Sequence, residues 1–368
     1  MRFSCEKTLL QAAVSTASRT VAAKSSIPAL EGLLIQADQA VTVAGYNMQT
    51  GIRTTISAQV QEGGELVLNA RLFGEIIRSL PDDVLVFTSE GLSVHVACGD
   101  STFDIVGLSA DDYPELPQVE DQFFLVMAQS TLKNMITETS FAVSTNEARP
   151  VHTGALFEVS EDTLTMVAVD GFRLALRREA ILRKEAGVFQ FVTPGSALSE
   201  VEKICGPTDE EVTITLGSRH ILFEIGSTQL ICRRLEGEFL DYKSAIPRKN
   251  PIVLTLETKA MIDSIDRVSV VISEKMKSPV RCIFEQDQAR LSAKTGIGEA
   301  RDICRLSGDG GGLEIGFNNR YLLDALRHAP ADTVRVELNT GISPAIIVPA
   351  EGEEKFLYMV LPVRLKGN

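Results

Sequence analysis

The run Leu164-Thr165-Met166-Val167-Ala168-Val169 reaches Asp170-Gly171 and continues as Phe172-Arg173-Leu174-Ala175-Leu176-Arg177. Asp-Gly between apolar runs is a strong hairpin signal, because both positions tolerate positive φ. Past the corner, Phe172, Leu174 and Leu176 alternate with Arg173, Ala175 and Arg177, which predicts a strand with two chemically different faces. The stretch is either a tight turn between two sheet strands, or a turn whose Gly171 admits a partner's backbone while Phe172, Arg173 and Leu174 line a site.

Outward from this stretch the chain repeats itself three times. Each copy opens with a short apolar strand that passes into an amphipathic helix. Phe3-Ser4-Cys5 leads to Leu9, Ala12, Ala13 and Ala17; Leu125-Val126-Met127 leads to Leu132, Met135 and Ile136; residues 253–256 lead to Met261, Ile262, Ile265 and Val268. Apolar residues three and four positions apart put one buried face on each helix. A second helix recurs at residues 71–80, 198–205 and 320–328. Each stops at a Pro-x-Asp sequence, where Pro81, Pro207 and Pro330 lie 126 and 123 positions apart. Strand pairs lie between the helices: 32–35 with 41–44, 155–159 with 164–168, and Cys282-Ile283-Phe284 with Ala289-Arg290-Leu291-Ser292. More strands follow each proline. Strands joined by turns, with few helices, argue for antiparallel sheets with helices on one face. Each copy reads as a doubled β-α-β-β-β unit. The Asp-Tyr and proline segments at 109–117 and 241–251 read as linkers, giving domains at 1–118, 119–246 and 247–368.

Composition is that of a soluble chain: 368 residues, 44% hydrophobic and 23% charged, with no run near the ~20 apolar residues of a membrane helix. The start carries no signal-peptide pattern. The six cysteines are scattered without a CxxC pair and sit among apolar neighbours, as reduced core cysteines of a cytosolic protein do. The net charge of −13 argues against nucleic acid if charge is spread evenly. It is not: Lys7, Arg19, Lys24, Arg71, Arg78, Lys133, Lys203, Lys259, Arg267, Arg320 and Arg327 fall on or beside helices, while acidic residues crowd strands and turns. That bias fits a phosphate-tracking helix face.

Catalytic chemistry is not indicated. His95, His152, His220 and His328 show no metal-ligand spacing, and there is no GxSxG, P-loop or HExxH. Gly308-Asp309-Gly310-Gly311-Gly312 reads as a flexible hairpin connection. The reading is of a non-enzyme with no metal and no cofactor.

The three-fold repeat, residues 169–175, and the ending Tyr358-Met359-Val360-Leu361-Pro362-Val363-Arg364-Leu365 together resemble the bacterial β sliding clamps, the processivity subunits of DNA polymerase III, over the whole chain. The family carries Thr-Asp-Gly-His-Arg-Leu-Ala at the first motif; here Val169 replaces the Thr and Phe172 the His. Lys366-Gly367-Asn368 lies beyond the family's usual end. The resemblance implies an α+β fold of three tandem clamp domains, with antiparallel sheets outside and helices inside, assembling as a closed ring dimer around duplex DNA. It implies a cytoplasmic, nucleoid-associated homodimer that holds DNA without sequence specificity and tethers the polymerase III catalytic subunit, the clamp loader and other clamp-binding-motif proteins. The alternative is a clamp-fold accessory paralogue or interaction scaffold.

Carried over residue by residue, the family's partner-peptide pocket comprises Gly171, Phe172, Arg173, Leu174, Leu240, Ala245, Asn318, Tyr321, Ile342, Met359, Val360, Leu361, Pro362, Val363 and Arg364, between the second and third domains. Peptides with a Gln and a Leu-Phe end bind there in the family. Lys24, Arg71 and Arg149 match basic DNA-facing positions, with Pro150 and Val151 where the family has aromatic residues. Phe103 and Ile105 would meet Val271 and Ile272 of the other chain on facing edge strands. Residues 43–48 and 293–296, the counterparts of the opening stretch, carry no Arg-Leu pair. A fold requirement would recur in each copy, so the contrast favours the site reading.

Overall fold

The computed structural model describes residues 1–120, 123–185, 187–272 and 278–365, so the extra ending 366–368 lies outside it. The chain divides into two compact units: residues 1–132, 182–186 and 200–234, and residues 133–181, 187–199 and 235–368.

The first unit holds a five-stranded and a nine-stranded antiparallel sheet. Its helices Lys7–Ala17 and Ala70–Ser79 pack together and bury Leu10, Ala13, Val14, Ala17, Phe73, Ile76 and Ile77. Phe3 and Phe87 stack beneath them with centroids 4.8 Å apart, and Phe73 meets Phe87 edge-on. Each such fully buried side chain contributes about 1.5–3 kcal/mol. Asn69 caps the second helix by accepting from the Leu72 N–H, and the helix stops two residues before Pro81. In the five-stranded sheet, Ser101–Val106 is a free edge beside Ser93–Cys98. In the nine-stranded sheet, Thr228–Arg233 pairs with Thr50–Ile56, placing Ile231 opposite Gly51.

The second unit holds a ten-stranded sheet. Here Arg173–Ala180 lies between Thr163–Val169 and Phe356–Val360, with Leu174 opposite Met359. Helices Thr258–Ser269 and Asn319–Arg327 pack together. Both large sheets therefore join strands from different sequence repeats.

The repeats recur in hydrogen-bond detail. Isolated bridges Val67 to Leu108, Val192 to Leu235 and Gly316 to Val363 tie the exit of each copy to its own sheet. Asp170 Oδ1 accepts from the Phe172 and Arg173 N–H groups at 2.9 and 3.1 Å, and Asn47 Oδ1 accepts from those of Gln49 and Thr50 at 3.0 and 2.8 Å. The corner is thus fold chemistry shared by two copies, and only its Arg-Leu continuation is particular to the second. The strand starts at Arg173, so Phe172 belongs to the turn and not to the expected alternation.

The third copy differs from expectation. Cys282-Ile283-Phe284 and Ala289-Arg290-Leu291-Ser292 are not partners but lie on one strand, Val280–Thr295, paired along its length with Gly298–Phe317. The glycine run at 308–312 is no hairpin connection. It sits within the second long strand, opposite register shifts at Phe284, Gln286 and Gln288. A Cβ on Gly310 would come within 2.4 Å of the Phe284 Cβ, so close backbone approach demands glycine there.

The linkers pack differently. Tyr113 and Tyr242 are both buried, and the residue three beyond each is Leu116 and Ala245. Leu116 lies over Gly51, its Cδ2 2.9 Å from where a Cβ would stand. Ala245 packs on the cluster that contains Leu174. All six cysteines are buried and outside any disulfide, and burial pushes Cys5, Cys232 and Cys282 up to about 12.

Candidate functional site

All expected pocket residues lie in the second unit. At the corner, Gly171 adopts φ of +88° with open space where a Cβ would point. Phe172 is 56% exposed and stacks on Tyr321, centroids 5.7 Å apart and planes 19° apart. The next residue turns inward. The Arg173 guanidinium lies 4.6 Å from the Tyr321 centroid and 5.4 Å from that of Phe141. Asp170 Oδ2 accepts from its Nε at 2.8 Å, and Asp324 accepts from Nη1. Phe141 stacks in turn on His328 at 4.7 Å and meets Tyr358 edge-on. The result is a continuous pile, Phe172, Tyr321, Arg173, Phe141, His328, with one exposed end. Two carboxylates and two aromatic faces fix the cation, so Arg173 acts as a rigid strut and cannot swing out as a free charge.

The tail is pinned beside this pile. The Leu361 N–H donates to the Phe172 carbonyl at 2.9 Å, and the Val363 N–H to the Gly316 carbonyl at 2.8 Å. Leu174 and Met359 form a buried floor with Val167, Val169 and Ile346, against which Ala245 packs, and Val360 is buried outside that cluster. Leu361 and Pro362 are half-buried, and Val363 and Arg364 are exposed. Asn318 caps the helix Asn319–Arg327, its Oδ1 accepting from the Arg320 and Tyr321 N–H groups, and thereby orients Tyr321. Ile342 stands 80% exposed in the turn after Thr333–Leu338. Leu240 lines a cleft of about 500 Å³ with Val151, His152 and Phe239. Arg149 and Pro150 line the same cleft, so Arg149, expected at DNA, also borders a residue of the peptide set. Burial lowers the pKa of His152, and Arg149 lowers it further.

Sequence reasoning missed Phe141, Asp170 and Asp324 as supports of Arg173. It also missed Glu138, whose carboxyl lies beside the guanidinium of Arg177; burial raises its pKa to about 7 against the opposing pull of that arginine.

Of the other DNA-facing positions, Lys24 is exposed, and Arg71 is exposed and pairs with Glu75 one helical turn on at 3.1 Å. Arg71 lines a cleft of about 800 Å³ between the two helices of the first unit, together with Arg19 and Arg78. Phe103 and Ile105 lie on the free edge strand and are half-buried against the core. Val271 and Ile272 are not on an edge strand. They follow the helix Thr258–Ser269, where the Ile272 N–H donates to the Ser269 carbonyl and Thr295 Oγ1 donates to the Val271 carbonyl. A helix end carries them because the register of the long hairpin places its tip, 295–298, against this turn. Val270 and Ile297, which sequence reasoning passed over, stand 81% and 70% exposed there.

The chain matches the DNA polymerase III beta subunit models in three successive pieces: the N-terminal domain over residues 1–117, the central domain over 126–241 and the C-terminal domain over 243–364. A beta sliding clamp of Staphylococcus aureus is 31% identical over 376 residues, covering 99% of each chain. The crystal structure of a DNA polymerase sliding clamp from Bacillus subtilis superposes with a TM-score of 0.94 at 29% identity over all of both chains. A Pseudomonas aeruginosa sliding clamp bound to griselimycin gives a TM-score of 0.95 at 27% identity, over 99% of this chain and all of that one.

Proposed function

The chain belongs to the DNA polymerase III beta subunit family and is a polymerase processivity factor, and we propose that it acts as a head-to-tail homodimeric ring that slides on duplex DNA and tethers its partners through the Arg173 corner. Its domains are residues 1–118, 119–246 and 247–368. The observation that carries the pocket reading is the pinned pile: an exposed aromatic end at Phe172, a rigid cation behind it and a half-buried apolar tail at Leu361 and Pro362. An extended peptide finds there an apolar slot with few orienting groups. Its partners are the polymerase III catalytic subunit, the clamp loader and other proteins bearing a Gln-containing motif with a Leu-Phe end.

Duplex DNA is held by Lys24, Arg71 and Arg149 through phosphates, which carry no sequence information and permit sliding. Acidic residues elsewhere give the chain its net charge of −13. Tethering raises the polymerase's effective concentration at the primer end, so a dissociated polymerase rebinds before it diffuses away. The chain itself performs no catalysis. It works in the cytoplasm at the nucleoid; among the described residues, no helix is long and apolar enough to cross a membrane. The seam joins Phe103 and Ile105 of one chain to Val271 and Ile272 of the other. A free edge strand on one side and exposed Val270 and Ile297 on the other support it.

Retention on DNA tests encirclement. Loaded onto nicked circular duplex, the protein should stay bound at high salt and leave once the circle is linearised. Equal retention on both forms overturns the ring reading.

A further inference from the structure

One end of the nine-stranded sheet in the first unit is basic. His220 and Arg233 face each other in register at the ends of adjacent strands. The Arg234 N–H donates to the Arg219 carbonyl at 2.9 Å, and on the other side the Arg233 N–H donates to the Gln49 carbonyl at 3.0 Å. Neighbouring strands lie about 4.8 Å apart, so Arg219, Arg233, Arg234 and the turn 47–49 share a patch roughly 10–15 Å across. Burial lowers the pKa of His220, and the guanidinium groups of Arg233 and Arg219 lower it further, which registers the local concentration of positive charge. Among the described residues, Arg219 and Arg234 make no side-chain ion pair or hydrogen bond. In a chain of net charge −13, unpaired cations side by side are conspicuous.

The patch occupies the same place in its sheet as the apolar corner does in the second unit. The bond from Arg233 to Gln49 matches the bond from Leu361 to Phe172. Arg233 and Arg234 therefore stand where Leu361 and Pro362 stand, Gln49 stands for Phe172, and Met48 for Gly171. Met48 holds φ of +71°, a left-handed backbone that a side chain disfavours, and is 53% exposed. The same strand-end frame thus presents two arginines, a flexible thioether and a glutamine in place of leucine, proline, a glycine and a phenyl ring.

We propose that this strand end is a second docking site, for an extended acidic peptide of a partner protein that sets carboxylates on Arg219 and Arg234 and an apolar side chain on Met48. The exposed patch contains no Phe, Tyr or Trp for base stacking, which favours a protein over a single-stranded nucleic acid. The proposal takes only the backbone frame from the Arg173 pocket and stands whether or not that pocket binds partners.

The probe is a fluorescein-labelled peptide, Glu-Asp-Leu-Glu-Asp-Leu, titrated by polarisation against the full chain. Binding should saturate, weaken at least tenfold on raising salt from 50 to 300 mM, and weaken at least fivefold in Arg219→Ser/Arg234→Ser, while Phe172→Ala leaves it unchanged. A Gln-containing peptide with a Leu-Phe end should show the opposite pattern across the same variants, so failure at one site is separable from failure at the other. Followed by NMR, bound acidic peptide should raise the pKa of His220 and leave that of His152 in place. Absence of saturable binding, indifference to the double arginine variant, or an unmoved His220 overturns the proposal. Tighter binding of a single-stranded oligonucleotide, with displacement of the peptide, reassigns the patch to nucleic acid and equally overturns it.

Discussion

The guanidinium carbon of Arg173 lies 4.6 Å from the ring centroid of Tyr321, and the exposed face of the site rests on that contact. Arg173 contributes planarity as much as charge, because it fills the space between two rings while its edge is held by Asp170 and Asp324. Lysine keeps the charge but neither stacks nor bridges two carboxylates in this way. Arg173→Lys should therefore weaken a Gln-containing, Leu-Phe-ended peptide about tenfold, on the order of 1–2 kcal/mol. Isothermal titration at constant pH reads this directly, and affinity equal to that of the parent chain removes the strut role.

Gly316 carries the tail. A Cβ there would stand 2.6 Å from Leu365 Cδ2 and 2.8 Å from the Val363 carbonyl oxygen. Gly316→Ala should dislodge the Val363 bridge, lower peptide affinity several-fold and cost stability of about 1–3 kcal/mol. Amide exchange at Val363 should quicken in the variant. Unchanged protection there would show that the tail is held by something other than this bridge.

Glu138 makes stability depend on pH. Burial raises its folded-state pKa to about 7, above the ordinary glutamate value. Between those two values the folded chain keeps a proton that the unfolded chain has lost, so stability falls as pH rises through this window. Glu138→Gln cannot ionise. Its Tm relative to the parent should therefore rise between pH 5 and pH 8, the difference isolating this group from all others that titrate. A Tm difference independent of pH contradicts the assignment.

Phe103 probes the seam. It is half-buried against its own core and sits on a strand whose outer edge is free. Phe103→Glu should leave far-UV circular dichroism intact and halve the native mass measured by light scattering. A dimer that survives the substitution at micromolar concentration places the seam elsewhere.

The sequence made the repeat, the helix stops and the hairpin corner legible because each rests on local chemistry: apolar spacing, proline, Asp-Gly. The long hairpin of the third copy was not legible. Gln286 to Gln288 and the glycine run each read as a turn in isolation, with Asp287 adopting φ of +56°. Only their pairing across the sheet turns two apparent breaks into two irregularities of one ladder. The site divides in the same way. Arg173 and Leu174 were visible because the other copies lack them. Phe141 and Asp324 were not, because they reach Arg173 only through the fold, from positions far apart in the chain.

The exchange between Gly51 with Leu116 and Leu174 with Ala245 settles which segment owns the bulk at each linker. In the first unit the leucine belongs to the linker, so the linker is itself the stopper and lifting it would expose a hole. In the second the leucine belongs to the strand, and at the matching position the linker brings a methyl group, while its Tyr242 and Ile246 cover the same cluster alongside. Two corresponding segments thus fill the same gap from opposite sides, the bulky side chain carried by the linker in the first unit and by the strand in the second.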